Sequence, residues 1–152
     1  LIAALIASGC TTTNELDGLG LRSENAFHAS DKTSDLEIAQ AHFKRGAYGL
    51  SEKHFRLAIE DNRDNGEAWL GLAACYDQLR RFDLADRAYV KVRSLIGNEA
   101  VVLNNEGYSR ILRGDYARAE KLLKRAIDKS PNDERILQNI ELLERRRAGA
   151  AD

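Results

Sequence analysis

One pattern constrains this chain more tightly than its composition does. An aromatic residue, a small residue, a large apolar residue and a second small or β-branched residue recur in register three times, 34 residues apart. The middle copy is Phe82, Ala85, Tyr89 and Val92. Downstream stand Tyr116, Ala119, Leu123 and Ala126, and upstream stand Tyr48, Ser51, Phe55 and Ala58. A further small position recurs as Ala39, Ala73 and Gly107. Steps of three and four residues place each set on one face of a helix. A single such unit cannot bury its apolar face, so the copies must stack. One proline and eleven glycines in 152 residues argue against a sandwich or barrel.

The period predicts helices over 36–45 and 49–61, then 67–79 and 83–95, then 99–112 and 116–129. Gly46 and Gly114 share one repeat position, where glycine can take the left-handed conformation that ends a helix. Arg80 stands there in the middle copy, so that turn is expected to be built differently. Ala39, Ala73, Gly107, Ala85 and Ala119 allow the paired helices to approach closely. Ser51 replaces alanine and predicts a looser first repeat. Trp69, Tyr76, Phe82 and Tyr89 read as core. Asn132 or Asp133 can cap a further helix over 134–147, with Ile136, Leu137, Ile140, Leu142 and Leu143 as its apolar positions. Arg145, Arg146 and Arg147 suit the negative end of its dipole.

This period and residue order resemble the tetratricopeptide repeat. The resemblance implies an all-α solenoid of three helix pairs plus a C-terminal capping helix. Its parts are a truncated lipoprotein signal (1–10), a flexible tether (11–34), three repeats (35–130), the capping helix (131–147) and a tail (148–152). In this repeat family the first helix of each pair forms a concave, partner-binding wall. Carrying those positions over selects Leu36, Gln40, Phe43 and Lys44, then Leu70, Ala74, Asp77 and Gln78, then Asn104, Asn105, Tyr108 and Ile111. Asn104 and Asn105 can each offer a peptide backbone a donor and an acceptor, or instead serve contacts within the solenoid. The cation cluster of a clamp for a C-terminal carboxylate is missing, which argues against a chaperone-tail receptor. On this reading, charge reversal at Asp77 weakens partner binding without unfolding.

Residues 1–7 read LIAALIA, followed by Ser8, Gly9, Cys10 and three threonines. An apolar run ending in small residues marks a secretory signal. Ala7-Ser8-Gly9-Cys10 resembles the bacterial lipobox, which implies cleavage before Cys10 and acylation of its thiol. One acyl chain binds membranes marginally and two or three bind durably. Thr11, where aspartate would retain such a protein at the inner membrane, implies the outer membrane. The segment 11–34 is polar and holds Gly18 and Gly20. As a flexible coil it would span roughly 25–30 Å, unless Leu19, Leu21 and Phe27 pack onto the first helix. The only other cysteine, Cys75, reads as a buried small thiol.

Nothing points to catalysis. His28, His42 and His54 are scattered, and no Cys or carboxylate pattern gives them metal-ligand spacing. There is no glycine-rich phosphate loop and no GxSxG. No cofactor, metal or small-molecule substrate is expected. The net charge of -1 argues against a nucleic-acid partner. From 108 to 130, seven basic residues stand against three acidic ones, which reads as a solvated helix face or as a surface toward an acidic partner or anionic lipid.

The strings GEAWLGLAACYDQLRRFDLADRAY (66–89) and NNEGYSRILRGDYARAE (104–120), with the lipobox and short tether, resemble the TadD lipoproteins of tight-adherence (Tad/Flp) pilus assembly. That resemblance implies a noncatalytic scaffold, lipid-anchored through Cys10 on the periplasmic face of the outer membrane. It also implies a pilotin-like role toward the pilus secretin. A general envelope scaffold, or an accessory subunit of peptidoglycan or outer-membrane-protein machinery, is the alternative.

Overall fold

Ser34 starts the first helix. Its hydroxyl accepts from the Glu37 N–H at 3.3 Å, and the Glu37 carboxylate accepts from the Ser34 N–H at 3.0 Å. This reciprocal cap satisfies two N–H groups that the helix itself cannot. A computed structural model of the chain describes residues 34–150. The helices are α1 (Asp35–Lys44), α2 (Tyr48–Asp61), α3 (Gly66–Gln78), α4 (Phe82–Ile96), α5 (Ala100–Leu112), α6 (Tyr116–Lys129) and α7 (Glu134–Ala148). No strand occurs among the described residues. Three helix pairs and a closing helix therefore form the expected all-α solenoid, with ends at most one residue from those the pattern predicts. Asn65 caps α3, Asp115 caps α6, and Asp133 rather than Asn132 caps α7.

The turn inside each pair corrects one expectation. Gly46 and Gly114 are left-handed, with φ of 74° and 76°, and Arg80 adopts the same conformation at 60°. The hydrogen bonds match as well. The N–H groups of Ala47, Arg81 and Asp115 donate to the carbonyls of His42, Tyr76 and Arg110 at 3.0, 2.8 and 2.9 Å. The middle turn is thus built like the others, and the arginine bears a steric cost of roughly 1–2 kcal/mol that glycine avoids.

The first helices of the pairs touch in sequence: α1 on α3, α3 on α5, and α5 on α7. The second helices α2, α4 and α6 make no such contacts with one another. The touching row occupies the shorter, inner arc. Helix α7 lies 34 residues beyond α5, so it takes the place of a fourth inner helix and extends the inner wall. Ile136 and Leu143 of α7 are buried and Ile140 and Leu142 half-buried, whereas Leu137, the fifth apolar position of this helix, faces solvent.

Small residues set the spacing, as expected. Ala39, Ala73, Ala85 and Ala119 are wholly buried, and a Cβ on Gly107 would come within 2.8 Å of the Leu123 side chain. The Phe55 ring lies directly over Gly71, where any Cβ would fall inside the ring. Ser51 does not loosen the first repeat. It is fully buried, donates to the Ala39 carbonyl at 2.8 Å and accepts from the Cys75 thiol at 3.2 Å. Cys75 is itself buried, and burial pushes its thiol pKa up to about 11, so it is inert.

Candidate partner-binding groove

Two adjoining hollows follow the inner row. The first, about 360 Å³, is lined by Gln40, Phe43 and Lys44 of α1, Gly71 and Ala74 of α3, and Phe55 at its floor. The second, about 200 Å³, is lined by Phe43, Ala74, Asp77, Gln78, Tyr89, Asn105, Tyr108 and Asn139. Phe43 and Ala74 border both, so the two form one groove. Because α1, α3, α5 and α7 run side by side, each offers this groove one amide: Gln40, Gln78, Asn105 and Asn139. Gln40 already donates to Glu67 at 2.7 Å and Asn105 to the Val101 carbonyl at 2.8 Å. Their carbonyl oxygens remain as acceptors for a peptide N–H. Lys44 is the one cation among the lining residues.

Of the twelve residues selected from sequence, Gln40, Phe43, Lys44, Ala74, Gln78, Asn105 and Tyr108 line the groove with partly exposed side chains. Leu36 and Leu70 instead pack against the first core cluster. Ile111 is 5% exposed and belongs to the cluster around Leu123 and Leu143. Asn104 is buried, and its side-chain oxygen accepts from Asn139 at 2.9 Å, which places it in the contact between α5 and α7.

Asp77 is the main correction. It touches the groove floor but is only 1% exposed. Its carboxylate accepts from the Tyr89 hydroxyl at 2.9 Å and the Ser109 hydroxyl at 2.6 Å, with Arg113 at 3.6 Å. Arg113 also donates to Ser109 at 2.8 Å and to Asp86 at 2.8 Å, and Arg110 donates to Asp86 at 3.1 Å. The set joins α3, α4 and α5. Burial raises the Asp77 pKa above the usual carboxylate range, although the two hydroxyls and Arg113 pull the other way. Burial also opposes ionisation of Asp86, but Arg113 and Arg110 outweigh it and hold its pKa below the usual value. A reversed charge at position 77 would meet Arg113 in the interior, so such a change strikes the fold before it strikes binding.

The sequence carried a signal for this network. Asp77 occupies the repeat position of Phe43 and Ile111, and Tyr89 that of Phe55 and Leu123. A carboxylate in an apolar register, and a hydroxyl added at a second apolar position, mark a buried polar pair. Asn139 was missed because α7 was treated only as a cap, although it is the repeat equivalent of Asn105. The basic excess over 108–130 is also smaller in space than in sequence. Arg110 and Arg113 turn toward Asp86, and Arg118 pairs with Asp115 at 3.1 Å.

A larger recess, about 480 Å³, lies between α2 and α4 over α3 and includes Trp69, Tyr76 and Leu84. Two of its bordering cations are already engaged, Arg56 with Glu52 at 4.0 Å and Lys91 with Asp64 at 3.4 Å. Cys10, the lipobox and residues 11–33 of the expected tether lie outside the described residues, while Ser34, its last residue, caps α1.

The family model described as "Tetratricopeptide repeat" matches residues 36–93. No curated protein matches the chain significantly. Among solved structures, the first tetratricopeptide domain of human RPAP3 is 17% identical, with a TM-score of 0.66 over 76% of this chain and 91% of that one. The Arabidopsis OM64 tetratricopeptide domain is 18% identical, with a TM-score of 0.64 over 73% and 92%. The first such domain of Spaghetti (RPAP3), bound to the HSP90 peptide SRMEEVD, is 18% identical, with a TM-score of 0.63 over 75% and 90%. The chain has the tetratricopeptide-repeat fold.

Proposed function

We propose that this chain is a noncatalytic scaffold that holds an extended segment of a partner protein along α1, α3, α5 and α7. The continuous inner groove carries this reading. It combines four aromatic side chains, Phe43, Phe55, Tyr89 and Tyr108, with one amide per inner helix, which suits backbone recognition with side-chain pockets. One structure of similar fold holds a peptide, so the architecture is capable of it. With Lys44 as its one lining cation, the groove favours a segment without a required carboxylate terminus.

The finer reading rests on the sequence. The Ala7–Cys10 lipobox supports a lipid anchor at Cys10 and a periplasm-facing place at the outer membrane. The likeness of 66–89 and 104–120 to tight-adherence pilus lipoproteins supports the pilus secretin as partner. Anchor and groove together would act by tethering, which raises effective concentration without chemistry.

The test is crosslinking purification of the lipidated protein from native envelopes, followed by mass spectrometry. Recovery of a secretin, lost on Asn105→Ala with Tyr108→Ala, supports the pilotin-like role and the groove. Assembly-machine or murein proteins without secretin would overturn the pilus assignment and retain the scaffold. Separately, Cys10→Ser is expected to release the protein from membranes with helical content intact. Retention through a salt wash would remove the anchor.

A further inference from the structure

The turn at Arg80 holds a large charged side chain in a backbone conformation that glycine supplies in the other two repeats. Retention of strain at one position points to work done by the side chain. The Arg80 guanidinium donates to the Leu112 carbonyl at 3.0 Å, beyond the end of its own repeat, and lies 5.3 Å from the Phe82 ring centre. It lines a recess of about 200 Å³ at the edge where the inner helices end. Arg146 of α7 lines the same recess, together with Tyr108, Tyr116, Ile111 and Leu142.

The charges along this edge are unequal in their engagement. Arg81 pairs with Glu52 at 2.7 Å, Arg113 with Asp86 at 2.8 Å, and Arg147 with Glu120 at 3.0 Å. Arg145 reaches Glu141 at 3.7 Å. Arg80 and Arg146 have no ion-pair partner among the described residues, and they meet at one recess. Two guanidinium groups offer forked N–H pairs that match a planar carboxylate. Leucine, isoleucine and tyrosine side chains beside them suit a short carbon stem. A recess of this size takes one side chain and is below the range that holds cofactors.

We propose that this recess binds a carboxylate presented by a partner polypeptide, on a glutamate side chain or at a chain terminus. The site is separate from the groove hollows, although Tyr108 borders both. It does not depend on the groove being occupied.

The experiment is NMR titration of the ¹⁵N-labelled full chain with three probes. N-acetylglutamate α-amide carries only a side-chain carboxylate, N-acetylleucine only a terminal one, and inorganic phosphate is the third. The signals followed are the Gly114 amide and the Nε–H groups of Arg80 and Arg146. Saturable shifts with either carboxylate are expected, about tenfold or more weaker in Arg80→Gly and in Arg146→Ala. The tighter of the two carboxylates identifies its source. Glycine accepts the left-handed turn without strain and Arg146 is exposed, so both variants should melt close to the parent. Absence of saturation, equal binding by folded Arg80→Gly, or tighter binding of phosphate would each overturn the carboxylate site.

Discussion

The joint between the first two repeats and the joint between the second and third are held by different physics. In the first, α2 lies along α3, and Phe55, Ile59, Leu72 and Tyr76 form one apolar cluster with Trp69 and Leu70 against it. Its polar members are satisfied in a chain: the Cys75 thiol donates to the Ser51 hydroxyl, which donates to the Ala39 carbonyl. In the second, α4 meets α5 over a smaller area, and the link is the network of Asp77, Tyr89, Ser109, Arg113 and Asp86, with Arg93 paired to Glu106 beside it. Apolar contact tolerates small displacements because its energy follows buried area. A buried polar network tolerates none, because each lost partner leaves a desolvated group behind. Arg113 Nε is already buried without a partner among the described residues.

The largest effect should therefore come from breaking the polar joint. Asp77→Arg places two guanidinium groups in one interior site, and the repeats beyond α4 are expected to lose cooperative folding. Asp77→Ala should cost about 3–5 kcal/mol, because the Tyr89 and Ser109 hydroxyls each lose their buried acceptor at about 1–3 kcal/mol and Arg113 is left with Asp86 alone. Urea unfolding followed by circular dichroism measures both. A change below 1 kcal/mol for Asp77→Ala would mean that the apolar contacts of α4 and α5 suffice.

The apolar joint should yield less abruptly. Phe55→Ala removes a ring that is 3% exposed and opens space over Gly71. The expected cost is about 3–4 kcal/mol, graded by how far α2 and α3 close the gap. Phe55→Leu should recover part of that cost, because this joint reads volume and not pairing. If Phe55→Leu were as damaging as Phe55→Ala, the contrast between the joints would fail.

That contrast also explains what was legible in the sequence. Positions such as Ala73, Phe55 and Leu123 are legible because burial acts alike in every repeat and leaves a period of 34. The inner wall was legible only in part: Gln40, Ala74, Tyr108 and Asn105 border the hollows, whereas Leu36, Leu70 and Ile111 at neighbouring positions pack into the core. Asp77 and Asn104 misled because a polar residue on an inner helix reads as exposed unless its partner is known. Those partners sit 32 residues away at Ser109 and 35 away at Asn139. Arg80 misled for a different reason. Propensity forbids arginine in a left-handed turn only by an amount that the surrounding hydrogen bonds can exceed.

A smaller effect sharpens the first joint. Ser51→Ala restores the residue found at positions 85 and 119, yet it deletes the hydrogen bond to Ala39 and leaves the Cys75 thiol without its acceptor. A loss of about 1 kcal/mol is expected in the urea midpoint. A gain would show that the first repeat prefers the uniform alanine seam and that the serine is incidental.

The smallest effect separates the two carboxylates of the second joint by pH. Asp77 has a raised pKa in the fold, so the folded protein takes up its proton at a higher pH than the unfolded chain does. Folding is then favoured as pH falls through the folded pKa toward the unfolded carboxylate value, about 3.9. Asp86 has a lowered pKa, so its contribution is full above that value and is lost as pH falls through the folded pKa. Asp77→Asn should therefore cost more at pH 5 than at pH 7, because the parent gains from protonation and the variant does not. The cost of Asp86→Asn should be level between pH 7 and 5 and shrink only in stronger acid. Urea titrations of the parent and both variants across this range give the two profiles. A cost for Asp77→Asn that falls on acidification would mean that Arg113 and the two hydroxyls outweigh burial.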